Sequence, residues 1–127
     1  METIISKDAP PAVGPFSHAV LSNGLFFCSG TIGIDPKTMQ LDGSGFEEQM
    51  ARVFENVKAV LAVKGLTLAN VVKVNLYLTD MANYSKMNAA YEKQFGTHKP
   101  ARTTLTVAGL PLGAVFEMEC VAEYKNL

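Results

Sequence analysis

The side chains best suited to chemistry gather in the last third of the chain. Arg102 opens a threonine-rich, β-branched stretch within Lys99-Pro100-Ala101-Arg102-Thr103-Thr104-Leu105-Thr106-Val107. A guanidinium stays protonated in proteins, so once it is partly buried it needs an anionic partner, and its planar fork matches a carboxylate at two points. That partner is either a glutamate of this protein or the carboxylate of a small ligand. Glu117 and Glu119 share one parity of the stretch Val115-Phe116-Glu117-Met118-Glu119-Cys120-Val121-Ala122. They read either as a solvated strand face or as a place to anchor and activate water, because a partly buried carboxylate handles a proton near neutrality.

Other polar residues carry two readings each. Asn88 interrupts an apolar helical stripe. It is either an edge amide bonded to nearby backbone or an amide that reaches a ligand cleft. Ser29-Gly30 ends a strand, either as a plain turn or as a place where a backbone N–H approaches a ligand that a Cβ would obstruct. His18 and His98 lack partners at metal-ligand spacing, so no metal site is expected. No phosphate-cradling glycine loop or dinucleotide fingerprint occurs. Cys28 and Cys120 fall inside expected strands and read as buried thiols of a reducing compartment rather than as a disulfide.

The elements that must position these groups follow from periodicity. Residues 2–6 suggest a short strand, and the three prolines of residues 9–15 keep that segment irregular. His18–Leu21 and Leu25–Ser29 read as a hairpin closed by Ser22-Asn23-Gly24, and Asp35-Pro36-Lys37 marks a further turn. Ser44 and Glu47 fit a capping box ahead of a helix whose stripe is Phe46, Met50, Val53, Phe54, Val57, Val60 and Leu61, with Gly65 as its stop. Val71–Leu78 reads as a strand with Val72, Val74, Leu76 and Leu78 on one face and Lys73, Asn75 and Tyr77 on the other. Asp80 opens a second helix, with the stripe Tyr84, Met87, Tyr91 and Phe95, that ends at Gly96. Residues 102–109 and 115–124 then read as a final hairpin about residues 109–113. In such a hairpin Arg102 and Glu117 are offset by roughly 17 Å at about 3.4 Å per residue. A site using both therefore forms more naturally where two subunits meet.

These elements predict a single α+β domain over residues 1–127, with two helices on one face of a mostly antiparallel sheet. The other face is expected to hold Lys73, Asn75, Tyr77, Arg102, Thr104, Glu117 and Glu119, and to be covered by other copies of the chain. Hydrophobic residues make up 48% and charged residues 18%, which suits a globular core, and the formal net charge of -1 offers no long-range pull on nucleic acid or an anionic membrane. No apolar run approaches the roughly 20 residues of a membrane span. The first eight residues, Met1 to Asp8, carry two acids and no arginine, so the expected location is cytoplasmic.

In this order the residues resemble the YjgF/Rid family of reactive-intermediate deaminases over nearly the whole chain. The resemblance rests on Ala9-Pro10, Gly14-Pro15, Ser29-Gly30, Glu55-Asn56-Val57-Lys58-Ala59-Val60-Leu61, Val72-Lys73-Val74, Asn88-Ala89-Ala90-Tyr91, Pro100-Ala101-Arg102 and Glu117-Met118-Glu119. It implies a chorismate-mutase-like fold, a homotrimer with clefts between subunits, and hydrolysis of enamines and imines such as 2-aminoacrylate to 2-keto acids and ammonia, without metal or cofactor. By the same resemblance Arg102 would hold the substrate carboxylate, Glu117 would position the attacking water, and Gly30 and Thr104 would add backbone contacts. Asn88 and Ser29 would line the cleft. Phe16 stands where many members have a tyrosine, and Thr104 where many have a cysteine. The resemblance also carries two other readings: a ligand-binding or chaperone-like trimer without turnover, and a translation-inhibiting ribonuclease, which the net charge disfavours.

Overall fold

The computed structural model describes residues 1–43 and 45–125. Its strands are β1 (Glu2–Ile4), β2 (Ala19–Ser22), β3 (Leu25–Ile32), β4 (Val71–Leu78), β5 (Ala101–Thr106) and β6 (Phe116–Glu123), and its helices are α1 (Phe46–Ala62) and α2 (Tyr84–Phe95). They form one six-stranded sheet in the order β1-β2-β3-β6-β4-β5. Every neighbouring pair is antiparallel except β4 and β5.

α1 exists for the reason its periodicity gives: all seven expected stripe residues are buried. The expected cap Ser44 lies outside the described residues, and Gly45 occupies the cap position. At the far end Leu66 N–H donates to Leu61 O at 3.1 Å and Gly65 N–H to Ala62 O at 3.0 Å. That pairing needs the left-handed backbone of Gly65, φ 70°. Two polar residues of α1, Gln49 and Asn56, are buried as well. Asn56 Nδ2 donates to Ile32 O at 3.3 Å and Ile34 O at 2.8 Å, and Gln49 Oε1 accepts from Val115 N–H at 2.9 Å. These bonds satisfy backbone groups that the sheet ladder leaves unpaired and tie the helix to the end of β3 and the approach to β6.

α1 lies on the same side of the sheet as the buried alternation of β6, namely Phe116, Met118, Cys120 and Ala122. Val74, Leu76 and Leu78 of β4 share that core. Val72 does not: it is 43% exposed, and Val71 is buried in its place. A register shift between Val71 and Lys73 against β6 puts an extra residue in β4 there. This bulge resets the parity that simple alternation assigns.

The larger correction concerns the last two strands. They form no hairpin. β5 lies parallel to β4 at the sheet edge, and β6 inserts between β3 and β4. Parallel neighbours need a crossover, and α2 supplies it, so β4-α2-β5 is a β-α-β unit. The segment from residue 107 to 115 then carries the chain from the edge strand across to β6. Asp80 caps the turn before α2, its Oδ1 accepting from Ala82 N–H at 2.9 Å. Among the described residues no helix is long and apolar enough to cross a membrane.

Candidate functional site

Register decides which side chains face one another. Glu117 pairs with Tyr77 and Glu119 with Asn75, all on the sheet face away from the helices. Arg102 pairs with Val74 and Thr104 with Leu76, whose side chains belong to the core beneath the helices. Arg102 and Thr104 therefore lie on the helix side of the sheet, not on the open face expected for them. It is Thr103 that faces outward, accepting from Lys73 Nζ at 3.0 Å. The expected separation of Arg102 from Glu117 persists, but its cause is the sheet between them and about three residue steps, roughly 10 Å along the strands, rather than a hairpin offset.

The candidate residues thus fall into two groups. Phe16, Ser29, Gly30 and Glu117, joined by Tyr77 and Glu119, border a hollow of about 590 Å³. Asn88 and Arg102 border a second of about 420 Å³, together with Tyr91, His98 and Lys99. Thr104 lines neither; its Oγ1 is enclosed and without a hydrogen-bond partner among the described residues.

The first hollow is built on a bulge in β3. Between Cys28, opposite Cys120, and Thr31, opposite Met118, two residues of β3 stand against one of β6. Those two are Ser29 and Gly30. Ser29 N–H donates to His18 O at 3.0 Å and its hydroxyl to Ser17 O at 2.6 Å. His18 is itself fixed: Nδ1 accepts from Ser6 N–H at 2.9 Å, which leaves Nε2 to donate to Pro10 O at 2.8 Å. The histidine is a brace for the proline-rich rim. Phe16 sits on that rim, 45% exposed.

Gly30 makes room for the carboxylate. A Cβ on it would stand 2.8 Å from Glu117 Oε2 and 3.1 Å from Glu117 Cδ. Gly30→Ala is therefore expected to push Glu117 out of place while costing the fold only about 1 kcal/mol. Any reaction that uses the Glu117 carboxylate should then slow by roughly tenfold or more, with little change in melting temperature. Unchanged turnover in the alanine variant would show that the position of Glu117 is immaterial.

The two glutamates are not equivalent. Glu119 Oε1 accepts from Asn75 Nδ2 at 3.1 Å and from the Tyr77 hydroxyl. That bond, with burial, pushes the Tyr77 phenol up to about 12, so it remains a donor. Among the described residues Glu117 has no such clamp. Burial first, and the Glu119 carboxylate second, hold its carboxyl above the ordinary range. A raised, unclamped carboxyl is suited to accept a proton from water.

In the second hollow Arg102 has no salt bridge with an acid of its own chain among the described residues. Its Nη2 donates to the Tyr84 hydroxyl at 3.1 Å, and its guanidinium carbon lies 4.9 Å from the centroid of the Tyr91 ring. Tyr77, Tyr84 and Tyr91 were not among the residues singled out from sequence as functional. The tyrosines of α2 read as core stripe, and only the strand register reveals that Tyr77 stands beside both glutamates. Cys28 and Cys120 are buried free thiols facing each other across β3 and β6, and their contact, with burial, pushes the Cys28 thiol up.

Residues 6–124 match the family model described as Endoribonuclease L-PSP. A RutC family protein of Aquifex aeolicus is 46% identical over 124 residues, spanning 96% of this chain and 98% of that one. The chloroplastic Reactive Intermediate Deaminase A of Arabidopsis thaliana is 38% identical over 121 residues, 95% of this chain and 65% of that protein. Among solved structures, an endoribonuclease-like protein of Thermotoga maritima superposes with a TM-score of 0.94 at 39% identity, covering 99% of each chain. Matched in sequence and in fold across nearly its full length, the chain belongs to the YjgF/Rid family, also called the L-PSP endoribonuclease family.

Proposed function

We propose that this protein hydrolyses reactive enamines and imines, such as 2-aminoacrylate and 2-iminobutanoate, to 2-keto acids and ammonia. The supporting observation is the state of Arg102, a half-buried cation bordering a hollow, with no acid of its own chain among the described residues to neutralise it. Such a charge calls for an anion, and the fork favours a carboxylate. Because the sheet separates Arg102 from Glu117 within one chain, a working cleft joins the Arg102 group of one protomer to the Glu117 group of another. A homotrimer closes such heterologous contacts into a ring and covers the open sheet face, where Phe27 and Leu105 are exposed.

In that cleft Arg102 grips the substrate carboxylate, with Asn88 beside it and backbone contacts from Gly30 and Thr104. Glu117 takes a proton from the water that attacks the imine carbon. Once the nitrogen of the resulting carbinolamine is protonated, ammonia leaves and the hydroxyl gives up its proton, forming the carbonyl of the keto acid. An imine hydrolyses readily by itself, so orientation and a placed base suffice. We assign the protein to the cytoplasm, since neighbouring buried thiols suit a reducing compartment.

The test generates 2-iminobutanoate with a threonine dehydratase and follows its disappearance with and without this protein. Faster loss of the imine and matching release of 2-oxobutanoate are expected. A rate equal to that in buffer, with 2-oxobutanoate still binding, would instead establish a ligand-binding trimer without turnover.

A further inference from the structure

The manner in which Arg102 is held goes beyond its role as a cation. A free arginine side chain samples many rotamers, and ordering it on ligand binding weakens affinity. Here the ordering is already done by two tyrosines of α2. Tyr84 and Tyr91 are seven residues apart, two turns along one face of the helix, so both rings reach the edge strand that carries Arg102.

Tyr84 accepts a hydrogen bond from Nη2 at 3.1 Å, and its ring centroid lies 5.9 Å from the guanidinium carbon. The Tyr91 ring is closer, at 4.9 Å, and is fixed in turn. It is tilted against Phe95 at 4.6 Å and meets Phe54 edge to face at 6.3 Å, and only 9% of the residue is exposed. One rigid aromatic wall and one half-buried phenol make a bracket. The chemistry of the bracket matters as much as its shape. An aspartate or glutamate in place of Tyr84 would orient the guanidinium equally well, but it would also neutralise it and take up the edge that a ligand carboxylate needs. Ring faces and a phenol oxygen orient the group and leave its charge uncompensated.

We propose that Tyr84 and Tyr91 are positioning residues that hold the Arg102 guanidinium in its ligand-ready orientation and keep its remaining N–H donors free for the substrate carboxylate. This rests on the reading of Arg102 as the carboxylate-binding group. The bracket accounts for a phenol at Tyr84, whose hydroxyl meets the strand-edge cation; Tyr91 serves through its ring face alone, its hydroxyl having no hydrogen-bond partner among the described residues.

The test uses the full-length protein and 2-oxobutanoate as the binding probe, with imine kinetics alongside. Tyr84→Phe keeps the ring and drops the acceptor, and should raise both Kd and KM about threefold to tenfold. Tyr84→Leu drops both and should raise them about tenfold or more, with kcat changed less. Tyr84 opens α2 and is only half-buried, so neither change threatens folding. The ¹⁵Nε–H resonance of Arg102, assigned by its loss in Arg102→Ala, reports the bracket without any ligand. It should shift and exchange faster with solvent in Tyr84→Leu. Wild-type Kd and KM in Tyr84→Leu, with binding lost in Arg102→Ala, would overturn the bracket and leave the carboxylate reading standing. A fall in kcat alone, tracking the fraction of folded protein, would also overturn it. Failure of the wild type to bind 2-oxobutanoate would remove the carboxylate reading itself, and the bracket's purpose with it.

Discussion

Arg102→Ala should lower kcat/KM for 2-iminobutanoate by about 10²- to 10⁴-fold while leaving the protein folded. Each charge-assisted hydrogen bond to a carboxylate contributes about 1.5–3 kcal/mol, and a two-point grip therefore about 3–6 kcal/mol. At about 1.4 kcal/mol per factor of ten, that is the expected loss. Folding should be nearly indifferent, because the guanidinium sits on an edge strand with no ion pair in its own chain among the described residues. Arg102→Lys keeps the charge but not the fork, nor the flat stacking on Tyr91, and should recover only part of the loss. A folded Arg102→Ala protein with undiminished turnover would end the proposed mechanism.

The same substitution tests where the site is assembled. Arg102 and Glu117 lie on opposite faces of one sheet, so in the proposed trimer each protomer would offer half of two different clefts. Arg102→Ala and Glu117→Ala should each be nearly inactive alone. Co-expressed and purified through two different tags as mixed trimers, they should regain turnover. In any mixed ring about one cleft in three receives its arginine from one variant and its glutamate from the other. No recovery in mixed trimers would place both groups in a single chain's site and contradict the division set by the sheet.

Much of this architecture could be read from the chain, and the failures have identifiable causes. α1 was legible because its apolar stripe, its polar opposite face and Gly65 all point to one element. The placement of the last two strands was not, because a glycine- and proline-rich segment between two strand-like stretches carries the local signature of a tight turn and so suggests a hairpin that does not form. The competing signal was non-local: a strand, a helix and a strand in succession at residues 71–106 call for a parallel pair, and that places β5 beside β4. The face of Arg102 depended on that choice, since side-chain parity is defined only relative to the neighbouring strand. The bulges at Val72 and at Ser29-Gly30 are one-residue events in the ladder, and no periodicity in the chain announces them. The identities of Arg102, Asn88 and Glu117 were legible as chemistry. Their grouping became so only with the strand order.

Glu117 carries the clearest pH dependence. Its carboxyl is held above the ordinary range by burial and then by Glu119, and it must be ionised to accept a proton from water. Activity should therefore fall on the acid side with a midpoint above that of an ordinary carboxylic acid. Glu119→Gln keeps an acceptor for the Tyr77 hydroxyl and the Asn75 amide but removes the neighbouring charge. The acid limb of kcat/KM should then move to lower pH, without reaching the ordinary value, because burial remains. Stability gives a second reading with the opposite sense. A carboxyl that holds its proton more tightly folded than unfolded makes folding less favourable as pH rises from the unfolded to the folded pKa, and the penalty is fully present above both. Glu117→Gln should therefore abolish turnover yet raise the melting temperature at pH 7, and that gain should vanish toward about pH 3–4, where the wild-type carboxyl is protonated in both states. A stabilisation independent of pH would mean that packing, not charge, distinguishes the variant. An acid limb unmoved by Glu119→Gln would mean that Glu117 is not the group whose ionisation limits the reaction.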